Sequence, residues 1–399
     1  MKFGRPSELI VSVNGAIIRK FIIVFVLGLV MLFVMVGMLT SLKPQYRLSS
    51  SSLGEVTDEL SISSFVHLFS YENHYFKQAL SPDIPSPGYF NELFQFATRI
   101  NLDDPRSLLG NELPGFYHFD SEIIVAEEGV DYTNIPYESA PPLEVLMAER
   151  EASIQNLSEL DKPTGEKERV QPPALSTNGK NVVFIYHSHS SESYLPHLKG
   201  VTDPNAAYHS KVNITMVGKK LAEELTERGI GSQVNVEDMN QKLKQKGWNF
   251  AKSYMASREV VQSALASNRD LQYLFDLHRD ANRREATTVA INGEDYAKVA
   301  FVIGGENAGY ERNQKLAKDL HTLINKKYPG LSRGVFTKRG KGTNGKFNQD
   351  LSQNAILFEF GGVDNSFEEL NRTAEAVADI FSEYYWEAEK VNGAVDSKQ

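Results

Sequence analysis

The chain has 399 residues, 41% of them hydrophobic, and a formal net charge of −9. That size supports one large domain or two modest ones joined by linkers, with an ordinary core. The negative balance, with no long basic run, argues against a nucleic-acid partner, and the absence of cysteine excludes a disulfide framework and any thiolate metal site.

The first element is an uncharged run over residues 21–39, FIIVFVLGLVMLFVMVGML. As a helix rising about 1.5 Å per residue it would nearly cross a hydrocarbon core of roughly 30 Å. Arg19 and Lys20 precede it directly, with Lys2 and Arg5 upstream; Lys43 and Arg47 follow. The basic excess lies on the N-terminal side. The expectation is a single-pass membrane protein with residues 1–20 cytoplasmic and the bulk of the chain extracytoplasmic. A cleaved signal peptide fits less well, because the run is longer than a signal core and no small-x-small site follows it.

A membrane-proximal region is expected over 57–136, with helical patterns at Ser61–Leu80 and Gly88–Ile100. His67, His74 and His118 fall here and read as surface or packing residues. Over 137–179 prolines and a run of Glu, Lys, Ser and Gln dominate, interrupted by a helical piece at Leu143–Leu160. This reads as a linker giving reach from the membrane.

From 180 to 391 strand and helix signals alternate, the pattern of an α/β domain with a mixed or mostly parallel sheet. Strands are predicted at Asn181–Tyr186, Gly231–Asn235, Leu271–Leu277, Lys298–Ile303, Gly334–Lys338 and Ala355–Phe360. Helices are predicted at Lys211–Arg228, Arg258–Ala266, Gly309–Lys327 and Phe367–Ala388. The first helix carries Val212, Met216, Leu221 and Leu225 on one stripe and meets Gly229, a suitable C-cap. Residues 392–399 read as a flexible tail.

Three of these strands end in residues able to bind a metal or move a proton. Val182–Tyr186 gives way to His187, Ser188, His189 and, one turn later, Glu192. Leu271–Leu277 runs into His278 and Arg279, and Glu359 sits within the apolar Ala355–Phe360. Open α/β folds place ligands at the carboxyl ends of such strands. A carboxylate in an apolar run is costly without a partner, and burial raises its pKa toward the range of a general acid–base. A catalytic zinc usually takes three protein ligands and keeps a position open. His189, Glu192, His209 and His278 are four candidates for three places. Each alone has an ordinary reading as a structural residue; their grouping at three strand ends favours a site. The glycines of Arg339–Gly345 lack the order of a phosphate loop and read as the rim of a substrate groove.

The segments YHSHSSESYLP, DLHRDA and LFEFGGVDN, with ELPGF (Glu112–Phe116) and DYTNIP (Asp131–Pro136), resemble the stage II sporulation protein P family over nearly the whole chain. That family is similar to the zinc-dependent N-acetylmuramoyl-L-alanine amidases. The resemblance implies an amidase-like sheet flanked by helices, preceded by a transmembrane helix and a smaller mainly helical region. It implies Zn²⁺, peptidoglycan as substrate, and cleavage of the N-acetylmuramoyl–L-alanine amide, with peptide cross-links also cut, during engulfment in endospore formation. Implied partners are engulfment membrane proteins, one of them a lytic transglycosylase. Carried over, the first histidine falls on His189, the second on His278 and the catalytic glutamate on Glu359. The glutamate that opens the first helix in the amidases has no direct counterpart: His209 stands at that position, and Glu192 is the alternative. Arg279 is a candidate for a stem-peptide carboxylate. Two other readings are a membrane-complex scaffold with secondary catalysis and a metallocarboxypeptidase-like amidohydrolase.

Overall fold

Strand β2, Asn181–Tyr186, shows why the chain folds in layers. Its side chains alternate across the sheet. Val183 and Ile185 are buried against Val217, Leu221 and Leu225 of helix α1 (Thr215–Glu227). Phe184 and Tyr186 are buried on the opposite face with Val261 and Ala264 of a later helix, Ser253–Ser267. A strand apolar on both faces needs cover on both sides, and the helices supply it. The computed structural model describes residues 121–138, 173–340 and 343–396, with isolated positions at 25, 26, 28, 29, 31, 75 and 141.

In chain order the elements are β1 (Ser121–Ala126), β2, α1, β3 (Gly231–Val234), α2 (Met239–Lys246), α3 (Ser253–Ser267), β4 (Tyr273–Asp280), a hairpin of β5 (Thr288–Ile291) and β6 (Glu294–Ala297), β7 (Val299–Gly304), α4 (Tyr310–Lys327), β8 (Ser332–Lys338), β9 (Ala355–Gly362) and α5 (Phe367–Asp396). Seven strands form one sheet in the order β1-β8-β7-β9-β4-β2-β3. The run β3, β2, β4, β9 is parallel; β7 and β8 are parallel to each other, with β7 antiparallel to β9 and β1 antiparallel to β8. The carboxyl ends of β2, β4 and β9 therefore lie side by side. α1, α4 and α5 share the larger core on one face, around Leu316, Leu320, Val377 and Phe381.

The six predicted strands are all present, and so are the four predicted helices, with shifted ends. α1 starts at Thr215 rather than Lys211, because residues 209–213 are spent on a turn in which His209 Nδ1 accepts the backbone N–H groups of Lys211 and Val212. It closes as expected at Gly229, whose φ of 80° is left-handed. α5 continues to Asp396, so residues 392–396 are helical rather than a frayed tail.

The expected boundary between the membrane-proximal region and the second domain is corrected by β1. Ser121–Ala126 pairs with β8 in the register Ser121↔Lys338 to Ala126↔Gly334 and so joins the sheet. Gly334 permits this: a Cβ there would lie 2.2 Å from the carbonyl oxygen of Val125. Apart from Tyr75, the predicted helices at 61–80, 88–100 and 143–160 lie outside the described residues, as does most of the expected membrane span. Within that span Phe25, Val26, Gly28, Leu29 and Met31 are described as helical and exposed. Among the described residues no helix is long and apolar enough to cross a membrane.

Candidate active site

The site is assembled by the register of three adjacent strands. β4 and β9 pair so that His278 stands opposite Glu359, which puts both side chains on one face. β2 pairs with β4 through Tyr186↔Asp276. Just beyond that pair the chain is pinned: Ser188 donates its backbone N–H to Asp276 Oδ1 at 2.8 Å and its hydroxyl to Oδ2 at 2.6 Å. This anchors the turn that presents His189 and Glu192. The turn closes through Glu192 N–H to the His189 carbonyl, 3.1 Å, and Glu192 bridges Tyr208 on the returning chain.

The result is a buried cluster of imidazoles and carboxylates. Glu192 Oε1 lies 3.6 Å from His189 Nδ1, and its Oε2 lies 3.5 Å from His278 Nδ1. Its Oε2 also accepts the Arg279 backbone N–H at 3.0 Å. A fourth residue, Glu138, brings Oε2 to 3.9 Å from His189 Nδ1. Glu138, His189 and His278 each offer a ligand atom within 4.8 Å of the others. The two imidazole rings meet edge to face at 4.9 Å. Phe250 stacks on His189 at 4.5 Å and Tyr254 on His278 at 5.9 Å, forming an aromatic wall.

The protonation states follow from burial and charge. In the neutral ring that a metal ion would require, Asp276 Oδ1, 3.1 Å from His278 Nε2, draws the proton to Nε2 and leaves the Nδ1 lone pair facing Glu192. Burial works against a charged His278, but Asp276 and Glu192 outweigh it and raise its pKa well above the usual value. For Glu192, burial favours the neutral acid, yet His189 and His278 hold the carboxyl well below the ordinary range. Glu359 is different: burial, reinforced by Asp280 and Glu192, pushes it up to about 8 against the pull of His278 and Lys338.

The donor set fits a metal such as zinc. His189 Nδ1, Glu192 Oε1, His278 Nδ1 and both oxygens of Glu359 are buried without a hydrogen-bond partner. Buried polar atoms are normally paired, so a group of orphans facing one another marks a place for an ion or a reactant. Two imidazole nitrogens and a carboxylate form a borderline-soft set suited to Zn²⁺ over Mg²⁺ or Ca²⁺. Bonds of about 2.1 Å in a tetrahedron imply ligand–ligand edges of roughly 3.4 Å. The 3.5 and 3.6 Å separations, one from each Glu192 oxygen, are close to that and suit a carboxylate that offers both oxygens.

Two expected roles do not survive the geometry. His209 Nδ1 accepts two backbone N–H groups at 3.0 Å each, so a neutral ring carries its proton on Nε2, which is then a donor rather than a ligand. Arg279 is fully buried. Its guanidinium faces the carbonyls of Asp280 and Ala207 and the ring of Tyr208, bracing the returning loop rather than facing solvent. His187 lies on the opposite face: Nδ1 meets the Asn235 carbonyl at 3.0 Å, and burial lowers its pKa to about 4. Of the Arg339–Gly345 loop, residues 341 and 342 lie outside the described residues; Arg339 rests over the Tyr310 ring.

Three contributors escaped the sequence reading. Asp276 had a readable signal, standing two residues before His278 on the same strand face. Glu138 lies two residues past the DYTNIP segment but is 51 positions from His189 in the chain. Tyr254, whose hydroxyl donates to Glu138 Oε1, lies in α3 with no local pattern to mark it.

An α/β domain with a candidate metal centre at the carboxyl ends of three parallel strands is thus defined. A family model described as Stage II sporulation protein P (SpoIIP) matches residues 103–382. Stage II sporulation protein P of Bacillus subtilis (strain 168) is 51% identical over 392 residues, 98% of this chain and 97% of that one. The chain belongs to the stage II sporulation protein P family, a family of sporulation proteins. Among solved structures, Cwp6 from Clostridium difficile shares 14% identity at a TM-score of 0.32, covering 52% of this chain and 30% of that one. A mutant of murine aminoacylase 3 shares 15% at 0.29, covering 51% and 64%. A metallo-carboxypeptidase from Burkholderia cenocepacia shares 14% at 0.24, covering 52% and 58%. Overlaps this slight carry no argument about fold or activity.

Proposed function

We propose that the protein is a zinc-dependent peptidoglycan hydrolase that cleaves the N-acetylmuramoyl–L-alanine amide, and peptide cross-links as well, during engulfment in endospore formation. The observation that carries the reading is Glu359: a fully buried carboxylate, in register with His278, with neither oxygen paired and its pKa pushed up to about 8. Such a group is expensive to keep unless it moves protons.

His189, His278 and Glu192 would hold the ion. When bound, zinc supplies Lewis acidity toward the amide carbonyl and toward water. The protein's own groups do the rest. Glu359 accepts a proton from the attacking water and delivers it to the leaving nitrogen, so that water and amide become carboxylate and amine. Positive charge brought to the cluster counters the burial that raises the Glu359 pKa, which favours the ionised base at neutral pH. Asp276 keeps the His278 proton on Nε2. Phe250 and Tyr254, the latter backed by Phe347, wall the site in apolar surface, which strengthens every electrostatic interaction within it.

The apolar run over residues 21–39 suits a single-pass anchor with the catalytic domain outside, and engulfment membrane proteins, including a lytic transglycosylase, would be its partners. The test is product chemistry. The full chain, purified in detergent and zinc-loaded, is incubated with sacculi, and the muropeptides are resolved by mass. New free L-alanine amino termini and lactyl carboxylates are expected. Sacculi whose lactyl amides and cross-links all stay intact would end the proposal.

A further inference from the structure

The cluster has one carboxylate more than an open catalytic site needs. His189, His278 and Glu192 already supply three ligands, and a catalytic zinc keeps its remaining position for water or substrate. Glu138 nevertheless points into the same space. Taking the metal reading of this site as given, we propose that Glu138 is a detachable fourth ligand that occupies the open position in the resting protein, and that Tyr254 clamps it there and faces the substrate oxygen once it leaves.

Three observations single out Glu138 as the ligand that exchanges. It is the most distant, at 3.9 Å from His189 Nδ1 against 3.6 Å for Glu192. Its side chain is 25% exposed, whereas that of Glu192 is fully buried, so only Glu138 has solvent to swing into. And Glu192 Oε2 also accepts the Arg279 backbone N–H, which ties Glu192 to β4 as well as to the histidines.

The segment that carries Glu138 is built to aim it. Asp131 and Asn134 close a tight turn through Thr133 N–H to Asp131 Oδ1, 2.8 Å, and Asp131 N–H to Asn134 Oδ1, 3.0 Å. Ile135 is buried against Ala300 and Phe336. Tyr137 is gripped on both sides: its N–H donates to Asp280 Oδ1 at 3.2 Å, and its carbonyl accepts Ala281 N–H at 3.1 Å. Arg333 links Asp280 to the Asn134 carbonyl. The backbone is thus fixed up to the residue before Glu138, and exchange needs only rotation of one side chain. The hydroxyl of Tyr254 donates to Glu138 Oε1, beside the Oε2 that faces His189, and so stands ready for an oxygen that replaces the carboxylate. A substrate carbonyl offers an oxygen of the same kind as the carboxylate it displaces.

Cobalt-substituted full-length protein in detergent gives a test that does not depend on cell-wall cleavage. Metal affinity is measured by chelator competition, and access to the metal by titration with acetohydroxamate, followed in the visible spectrum. For Glu138→Gln the two should move in opposite directions: metal affinity weaker by about tenfold or more, acetohydroxamate binding tighter by a similar factor. Tyr254→Phe removes both the clamp and the donor to the incoming oxygen, so metal affinity should weaken by less than for Glu138→Gln and acetohydroxamate binding should not tighten; the loss of metal affinity keeps the proposal testable if Glu138→Gln fails to fold. Unchanged metal affinity in both variants, or weaker acetohydroxamate binding by Glu138→Gln, would overturn it. If these shifts appear and sacculi remain uncut, the ligand assignment stands and the hydrolase reading falls.

Discussion

The paired strands β4 and β9 hold two buried carboxylates close together, and they are treated in opposite ways. Asp280, paired with Gly362 of β9, has both oxygens engaged: Oδ1 accepts Tyr137 N–H and Asn282 N–H, and Oδ2 meets Arg333. Glu359, opposite His278, has neither oxygen engaged. Both carboxylates are about equally hidden from water. The difference teaches which polar cluster holds the fold and which is held by it. A saturated network fixes geometry. An unsaturated one of the same depth is tolerated only where the surrounding sheet forces it, and it stays available for chemistry.

The comparison breaks most sharply through paired substitutions. Glu359→Gln should lower cleavage of sacculi by about 10²–10⁴-fold, the range for loss of a general acid–base, while leaving the thermal midpoint unchanged or raised. Asp280→Asn should do the reverse at first instance, costing about 3–5 kcal/mol by chemical denaturation because it strands the buried Arg333. If Asp280→Asn proved harmless to stability and Glu359→Gln ruinous, the contrast between the two would be lost.

His197 sharpens the account of burial without chemistry. Its Nε2 accepts the Phe367 N–H at the start of α5, and burial lowers its pKa to about 4. The folded protein therefore binds this proton less tightly than the unfolded chain does. The contribution is complete above the unfolded value near 6.5 and is lost as pH falls toward 4, by up to about 3 kcal/mol. Midpoints measured from pH 7 to pH 4 should fall less steeply for His197→Gln than for the parent. A smaller effect is expected on the far face of β2. A Cβ at Gly218 of α1 would lie 2.4 Å from His187 Nε2, so Gly218→Ala should cost about 1–3 kcal/mol through overpacking, with the metal site intact. Smallest of all, the exposed Arg258–Asp350 pair should contribute less than about 1 kcal/mol when broken by Arg258→Ala.

What could be read in the sequence depended on the range of the interactions involved. β2 was legible to the residue because Asn181–Tyr186 is an apolar run followed by a polar turn, and α4 because its apolar residues recur at helical spacing. The two histidines and Glu359 could be read from their places at strand ends, and the sheet brings them together through β2, β4 and β9. β1 was not legible as part of the sheet, since its partner β8 lies some 200 positions later and only Gly334 makes room for the pairing. Glu138 and Tyr254 were invisible for the same reason. The choice between Glu192 and His209 could not be made from spacing, because it rests on a ring tautomer set by two backbone N–H groups.

The central claim is that Glu359 works as an acid–base beside a metal held by His189, Glu192 and His278. The most direct measurement is zinc content together with sacculus cleavage for the purified parent protein and its Glu359→Gln and His189→Ala variants. The account predicts that Glu359→Gln keeps about one equivalent of zinc and loses cleavage, whereas His189→Ala loses both. Full cleavage by zinc-loaded Glu359→Gln, or full zinc retention and cleavage by His189→Ala, would contradict it.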